Sequence, residues 1–519
     1  MIDRREFLRL MGASLALAGT ACNVSPPVEE IVPYVREPLD IVPGEPLFYS
    51  TVTTLGGYAL GILVESHLGR PTKIEGNPLH PSSLGATDVF AQASVLSLYD
   101  PDRSKDVLRN GQISTWETFS SDLRKIITAQ RQNGGAGLHL LTETITSPTL
   151  AFQIGELQKT FPAAVWHQFE PIDRSNERKG AVSAFGTDVE TVYRFDKADV
   201  IVSLDADFLL GRPGSVRYAR DFIQRRRIRE GETGLSRLYV LQTTPTITGA
   251  AADHCIAMLP AEIGSFAQEL IGMSSPDARR RAIIEDLAAH RGSSLVIAGR
   301  SQPPAVHAMA HAVNSALGNV GQTVYYTETV AANSVDSTES LSALVNDLDA
   351  GHVETLLVLG GNPVYNAPAD LHFAESLRKA GWAAHLSLYN DETSAHCEWH
   401  LPATHELEMW SDARSFDGTA SIIQPLIEPL FNGRSPHELL AMFSDSPQAA
   451  GYDVVRRFWR THGIGPVQTT VPAGPVPRTE ANAGSANANS SSAEDNIADR
   501  PNSFEASWKQ ALRDGYIRD

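Results

Sequence analysis

Three groups of residues in this 519-residue sequence are of types that do redox or metal chemistry. The first is the cysteines, three in all: Cys22, Cys255 and Cys397. A [4Fe–4S] cluster is commonly held by four thiolates, and covalent haem attachment uses C-x-x-C-H. The nearest string, "CEWH" at 397–400, lacks the second cysteine. Counting therefore leaves the chain with neither of these cysteine-held electron carriers. One disulfide, Cys255 to Cys397, stays open as a pairing in an oxidising compartment. The second group lies in "HCEWHLPATHELE" (396–408), which offers His396, Cys397, His400 and His405. On a helix His396 and His400 would share a face, but "CEWHLPA" reads as a strand ending at Pro402, whose side chains alternate. Structural polar residues are expected there rather than a zinc site. The third is Ser175, an oxygen donor in "IDRSNERKGAVSAFG" (172–186), which reads as a polar, turn-rich loop.

Elements that must position such groups are legible from hydrophobic patterning. Residues 47–75 alternate apolar and polar around glycines, as in "GILVES" and "PTKIEG", and predict a small β unit. From about residue 111 short apolar runs alternate with helical stretches. The predicted strands are 137–142, 163–168, 198–205, 237–243, 294–299, 355–361 and 383–389. Strands of this kind, separated by helices such as "SPTLAFQIGELQKTF" and "PAVHAMAHAVNSAL", imply parallel sheets covered on both faces. Their number suggests two doubly wound domains. At the end of one strand stands "LGGNP" (359–363), where such sheets bind ligands; Gly360, Gly361 and Asn362 are read as serving the turn itself. "FDGT" (416–419) reads as a turn between strands.

Charge and termini narrow the classes. A net charge of −18 argues against non-specific nucleic-acid binding, and no nucleic-acid partner is expected. "DRREFLRLMGASLALAGTAC" sets Arg4 and Arg5 before an apolar run too short to cross a membrane, the pattern of a twin-arginine export signal over residues 1–28. Cys22 is either a chance of composition or an acylation site that would anchor the chain; both readings stay open. Residues 29–46 form a Pro-rich extended segment, and 466–503, rich in Ala, Asn, Ser and Pro, read as a flexible linker. A short helix is expected over 504–519, docking on something, as the start of a missing carboxyl-terminal part.

Several strings fall into one order: "GRPTKIEGNPLHP", "SLYDPDR", "ADVIVSLDADFL", "TTPTITGAAADHCIAMLP", "HAVNSALGNVG", "TLLVLGGNPVYNAP" and "DETSAHCEWHLPATHELEMWSDARSFDGTASIIQP". In that order the chain resembles the Mo/W-bis-guanine-dinucleotide (molybdopterin) oxidoreductase superfamily over roughly residues 47–445. "IVPYVREP", "TLGGYALGILVESHLGRPTKIEGNP" and "SLGATDVFAQASVLSLYDPDRS" carry a narrower resemblance, to the amino-terminal half of the B subunit of bacterial alternative complex III. The resemblance implies an α/β fold: a β-rich domain (47–110), then two nested doubly wound parallel-sheet domains (111–165 with 335–445, and 166–334). The ferredoxin-like half of that subunit is not in this sequence, which is expected to be a split-gene product or a truncated one.

Catalytic relatives place cluster cysteines before the first hairpin and after the "GNPxHP" turn. Here those regions read "STVTTLGGYALG" and "SLGATDVFAQ", so Thr51, Thr53, Thr54, Thr87 and Asp88 stand as hard oxygen donors where soft sulfur is wanted. Ser175 stands near the molybdenum-ligand position, and Glu262 in "PAEIGS" (260–265) puts a negative charge where relatives meet a cofactor phosphate. The resemblance thus implies vestigial positions at Thr87, Asp88, Ser175, Gly360, Gly361 and Asn362, no catalytic residue, no metal ligand and no cofactor in this chain. It further implies a scaffold on the periplasmic face of the cytoplasmic membrane. The implied partners are a ferredoxin-like Fe–S part or subunit, a multihaem cytochrome c and polytopic quinol-binding subunits, which would hold the clusters and haems. The rival expectation is an active Mo/W-bisPGD oxidoreductase with an oxygen ligand such as Ser175.

Overall fold

Alternation in residues 47–76 produces three antiparallel strands: β1 (Leu47–Leu55), β2 (Tyr58–His67) and β3 (Arg70–Gly76). Leu55 pairs with Tyr58, leaving Gly56 and Gly57 as a two-residue turn with φ of +55° and +80°, the left-handed pair a tight hairpin requires. The inward residues Ile62, Val64 and Ile74 pack on Val95 and Leu98 of the helix Val89–Leu98. Beneath β2 runs "GNPLHP". A Cβ at Gly61 would lie 2.1 Å from the His80 ring, so the motif is pressed directly against the strand. Asn77 binds the Asp514 carbonyl at 2.7 Å, and His80 shares hydrogen bonds of 2.9 Å with both Ser421 and Ser82. These contacts account for the motif without any cluster. Gly61→Ala is expected to lower stability by about 2–3 kcal/mol in urea unfolding, because His80 is fully buried and has nowhere to go.

The computed structural model describes residues 42, 44–211, 213–228, 234–463 and 501–518, with 501–503 as backbone only. The chain divides into two units, Met1–Glu45 and Pro46–Asp519, and the described helices and strands belong to the second. The export signal with Arg4, Arg5 and Cys22, nearly all of the Pro-rich segment, and residues 464–500 of the linker region lie outside the described residues. Among the described residues no helix is long and apolar enough to cross a membrane.

After β3 the chain lays down β4 (Leu108–Arg109), β5 (Gln112–Ile113), β6 (Leu138–Thr142) and β7 (Val165–Gln168). It then departs through β8 (Glu190–Tyr193), β9 (Val200–Leu204), β10 (Arg237–Gln242), β11 (His254–Ala257), β12 (Ser294–Ala298) and β13 (Val324–Thr327). It returns with β14 (Thr355–Leu359), β15 (Ala383–Ser387) and β16 (Trp399–Pro402), and adds the hairpin β17 (Ser411–Arg414) and β18 (Ala420–Ile423). The order β5-β4-β16-β15-β14-β6-β7 makes one sheet, parallel from β16 to β7, in which strand order reverses between β6 and β14. The order β11-β10-β9-β12 makes a second, all-parallel sheet that reverses between β9 and β12. One parallel sheet is thus inserted in the other, as the α/β expectation required.

Alternate residues of each strand feed two cores. In the larger sheet Leu138, Leu140 and Leu357 meet Phe119, Leu123 and Ile154 on one face. Leu141, Leu356 and Val358 meet Leu341, Leu344 and Leu348 on the other. The smaller sheet divides in the same way, between Tyr218 and Phe222 on one side and Phe266 and Leu270 on the other.

Two expectations need correction. Residues 172–186 are not a loop: Ser175–Phe185 is a helix closed by Gly186 at φ +75°. Its polar sequence looks like turn chemistry, but Gly180 lets it press on the helix Pro304–Ala316, where a Cβ would come within 2.4 Å of His307 Cβ. The last helix, Pro501–Asp514, docks on this chain itself. Trp508 and Ala511 join Val455, Trp459 and Ile422 in a core. Its final carbonyls are taken by Ser50 Oγ, by Asn77 Nδ2 and, at 2.8 Å from Leu512 O, by Gln424 Nε2.

Candidate functional site

A cleft of about 780 Å³ opens at the carboxyl ends of both parallel sheets. Gln168 ends β7 and Glu170 follows it, Arg300 follows β12, Gly211 follows β9, and Gly56 at the β1–β2 turn closes one side. Doubly wound sheets present ligands at such ends. Arg174 forms an ionic hub here: its Nε lies 2.8 Å from Glu177, its Nη1 contacts Glu190, and it donates to the Tyr58 hydroxyl at 2.9 Å. Burial pushes the Tyr58 phenol up to about 12, against the pull of Arg174. Arg178 pairs with Asp188 at 2.9 Å and donates to the Val335 carbonyl. Around these guanidinium groups and Arg300 the carboxyls of Asp88, Glu170, Asp173, Asp188, Glu190 and Glu406 are in excess. Burial raises Glu406 to about 7, and raises Glu170 and Glu190 as well. Arg174 and Arg178 are thus committed to carboxylates, while the helix Ser215–Arg225 opens its amino terminus, without a side-chain cap, on the same cleft at Gly214.

The vestigial positions are not brought together. Thr53, Thr54 and Asp88 reach the cleft wall, whereas Ser175 does not line it. Asp88 caps the helix Val89–Leu98 by accepting from the Ala91 amide at 2.8 Å, and Thr87 accepts from Gln92 at 2.7 Å. Thr51 is fully buried and exchanges hydrogen bonds with the Gln424 backbone. The Ser175 hydroxyl donates to Asp173. Gly360 and Gly361 line a separate pocket of about 10 Å³ beside Glu143, whose carboxylate lies 2.8 Å from a Cβ placed on Gly360. Burial raises that carboxyl to about 7. Asn362 is occupied by Thr393 and Glu392, at 2.8 and 2.7 Å. "PAEIGS" begins the helix Pro260–Gly272, and Glu262 itself accepts from the Leu259 amide at 2.8 Å, filling the terminus a phosphate would use.

Nor do the histidines of 396–408 converge. His400 bonds Ser394 at 2.8 Å and Ser104; His405 bonds Ser97 at 3.0 Å; His396 accepts from Arg378 at 2.9 Å. Burial drives the Cys397 thiol up to about 12, and both Cys397 and the exposed Cys255 are free. A [4Fe–4S] cluster does not fit these residues: the donors at its positions are oxygen where thiolate is wanted. One ligand-type group that sequence reading passed over is assembled elsewhere, from His139 on β6, His167 on β7 and Asp347 on the helix Ser337–Asp349. Its signal was a histidine in each of two otherwise apolar strands, "GLHLLT" and "AAVWHQ".

No family model matches the chain. It is 22% identical, over 504 residues, to a protein of Nitratidesulfovibrio vulgaris named menaquinone reductase, molybdopterin-binding-like subunit, covering 85% of this chain and 71% of that one. Among solved structures it is similar to acetylene hydratase from Pelobacter acetylenicus, with a TM-score of 0.56 at 9% identity over 76% of this chain and 69% of that one. A β hairpin unit, a parallel sheet nested in another and these two likenesses agree: the chain has a molybdopterin oxidoreductase-like fold.

Proposed function

We propose that the chain is a non-catalytic scaffold subunit of a membrane quinol oxidoreductase of the alternative complex III type. In this reading it is exported by the twin-arginine route and held at the periplasmic face. The observation that carries the non-catalytic part is the commitment of Thr51, Thr87, Asp88 and Ser175 to hydrogen bonds within the chain. Hard oxygen donors are a poor match for an iron–sulfur cluster, and Asp88 and Thr87 instead serve the start of the helix Val89–Leu98. The quinone-linked part is supported by the name of the N. vulgaris relative, a subunit of a menaquinone reductase. Its partners would be a ferredoxin-like Fe–S part or subunit, a multihaem cytochrome c and polytopic quinol-binding subunits. What the scaffold offers them is surface: faces of two large α/β layers that hold carriers at fixed separations.

The test is isolation of the native membrane assembly through a tag on this chain, followed by metal and pterin analysis of the separated chain. Co-purification with haem- and Fe–S-bearing subunits, with molybdenum and tungsten far below one per chain, is the expected result. Stoichiometric Mo or W with extractable pterin would establish instead an active oxidoreductase using an oxygen ligand.

A further inference from the structure

We propose that His139, His167 and Asp347 form a binding site for a divalent transition-metal ion, with Zn²⁺ best matched to the donors. β6 and β7 are adjacent and parallel, in a register that pairs His139 with Val165 and Leu141 with His167. The two histidines therefore project from the same face, two residues apart along the paired strands. Their imidazoles lie nearly parallel, with planes 6° apart and Nδ1 of His139 3.0 Å from Nε2 of His167. In a tetrahedral site with Zn–N bonds of about 2.0–2.1 Å, two nitrogen ligands stand roughly 3.3 Å apart. The pair needs to open by only a few tenths of an ångström and rotate to admit the ion.

The third donor comes from the helix that covers this face. Ligand atoms of His139, His167 and Asp347 all lie within 4.8 Å of one another. The Asp347 side chain is 37% exposed and has room to close the remaining distance, while both imidazoles are buried. The outer contacts also suit a metal. His167 places Nδ1 at 3.1 Å from the Ser340 carbonyl, so that nitrogen carries the proton and Nε2 keeps its lone pair. A fourth position is open to water or to His352, whose Nδ1 lies 3.6 Å from Asp347. Two nitrogens and one carboxylate select a borderline ion and lie apart from the thiolate chemistry of Fe–S clusters. Such an ion would clamp β6, β7 and the helix Ser337–Asp349 together, stiffening the strand that carries Gln168 and Glu170 to the cleft.

The bland alternative is a neutral histidine pair sharing one proton. Full-length protein stripped with EDTA and titrated with Co²⁺ alone, then Zn²⁺ alone, separates the two. The expected result is a visible d–d spectrum saturating at one Co²⁺ per chain, displaced by Zn²⁺, with a Zn²⁺-dependent rise in Tm. Asp347→Ala removes a direct ligand at the exposed rim and should weaken binding more than tenfold, since loss of an outer-shell partner alone costs about that much. His167→Gln should abolish the spectrum; if it fails to fold, Asp347→Ala decides alone. Absence of the spectrum and of any Tm rise in the wild type overturns the proposal, as does binding that is unchanged in Asp347→Ala.

Discussion

Metal-free protein is expected to lose stability as the pH is brought from 7.5 to 5. Six buried imidazoles drive this. Burial lowers His80, His167, His311, His400 and His405 from 6.5 to about 4, and His437 to about 3. Each is held neutral by the fold but takes up a proton near 6.5 once unfolded. Their contribution is therefore fully present above pH 6.5 and is lost as the pH falls toward 4. At pH 5 each costs about 2 kcal/mol. Glu143 and Glu406, raised to about 7 by burial, work in the opposite direction. Their contribution is complete below pH 4.5 and fades as the pH rises through 7, so between pH 7 and 5 each returns roughly 2 kcal/mol. Glu170, Glu190, Asp221, Asp412 and Asp417, also raised by burial, act in the same direction as Glu143 and Glu406, so the histidine loss is offset in part and the expected net result is a lower urea midpoint at pH 5 than at pH 7.5. Near-UV circular dichroism and urea midpoints across pH 7.5 to 4.5 measure it; a flat midpoint over that range would sink the argument.

Arg103→Ala should be among the most damaging single substitutions in the chain, lowering stability by about 3–5 kcal/mol in urea unfolding. Arg103 and Glu408 face each other in two hydrogen bonds, at 2.6 and 3.1 Å, with both side chains 1% exposed. Arg103 also donates to the Leu98 carbonyl at 2.8 Å, and Glu408 accepts from the amides of Leu430 and His405, both at 2.9 Å. Removing one partner strands a charge out of reach of water, and that penalty dominates the effect. The double variant Arg103→Ala/Glu408→Ala should consequently lose much less than the sum of the two single losses. Additive losses would mean that the two groups act independently.

The central strands of the two parallel sheets were readable because they are buried on both faces and so appear as unbroken apolar runs. The short strands β8, β11 and β13 were not, since part of each faces solvent and no run forms. The helix Ser175–Phe185 escaped because what supports it is a tertiary contact, Gly180 against His307, which local propensity does not encode. For the site, donor chemistry was legible by counting sulfur, and the commitments of Asp88 and Ser175 were not, because they depend on geometry. His139 and His167 were hidden in plain view inside two strands. Only the sheet order makes them neighbours, and Asp347 joins them from a helix about 180 residues further on.

The return of the helix Pro501–Asp514 to β1 and to Asn77 sets an order of events during synthesis. Side chains near the beginning of the folded unit, Ser50 and Asn77, wait for backbone oxygens at 513 and 514, 463 and 437 residues downstream. Until then the edge of the hairpin unit stands open and the core around Val455 and Trp459 lacks Trp508. Closure of the hairpin edge therefore cannot precede synthesis of residues 501–514, and two segments far apart in the chain serve as each other's seal.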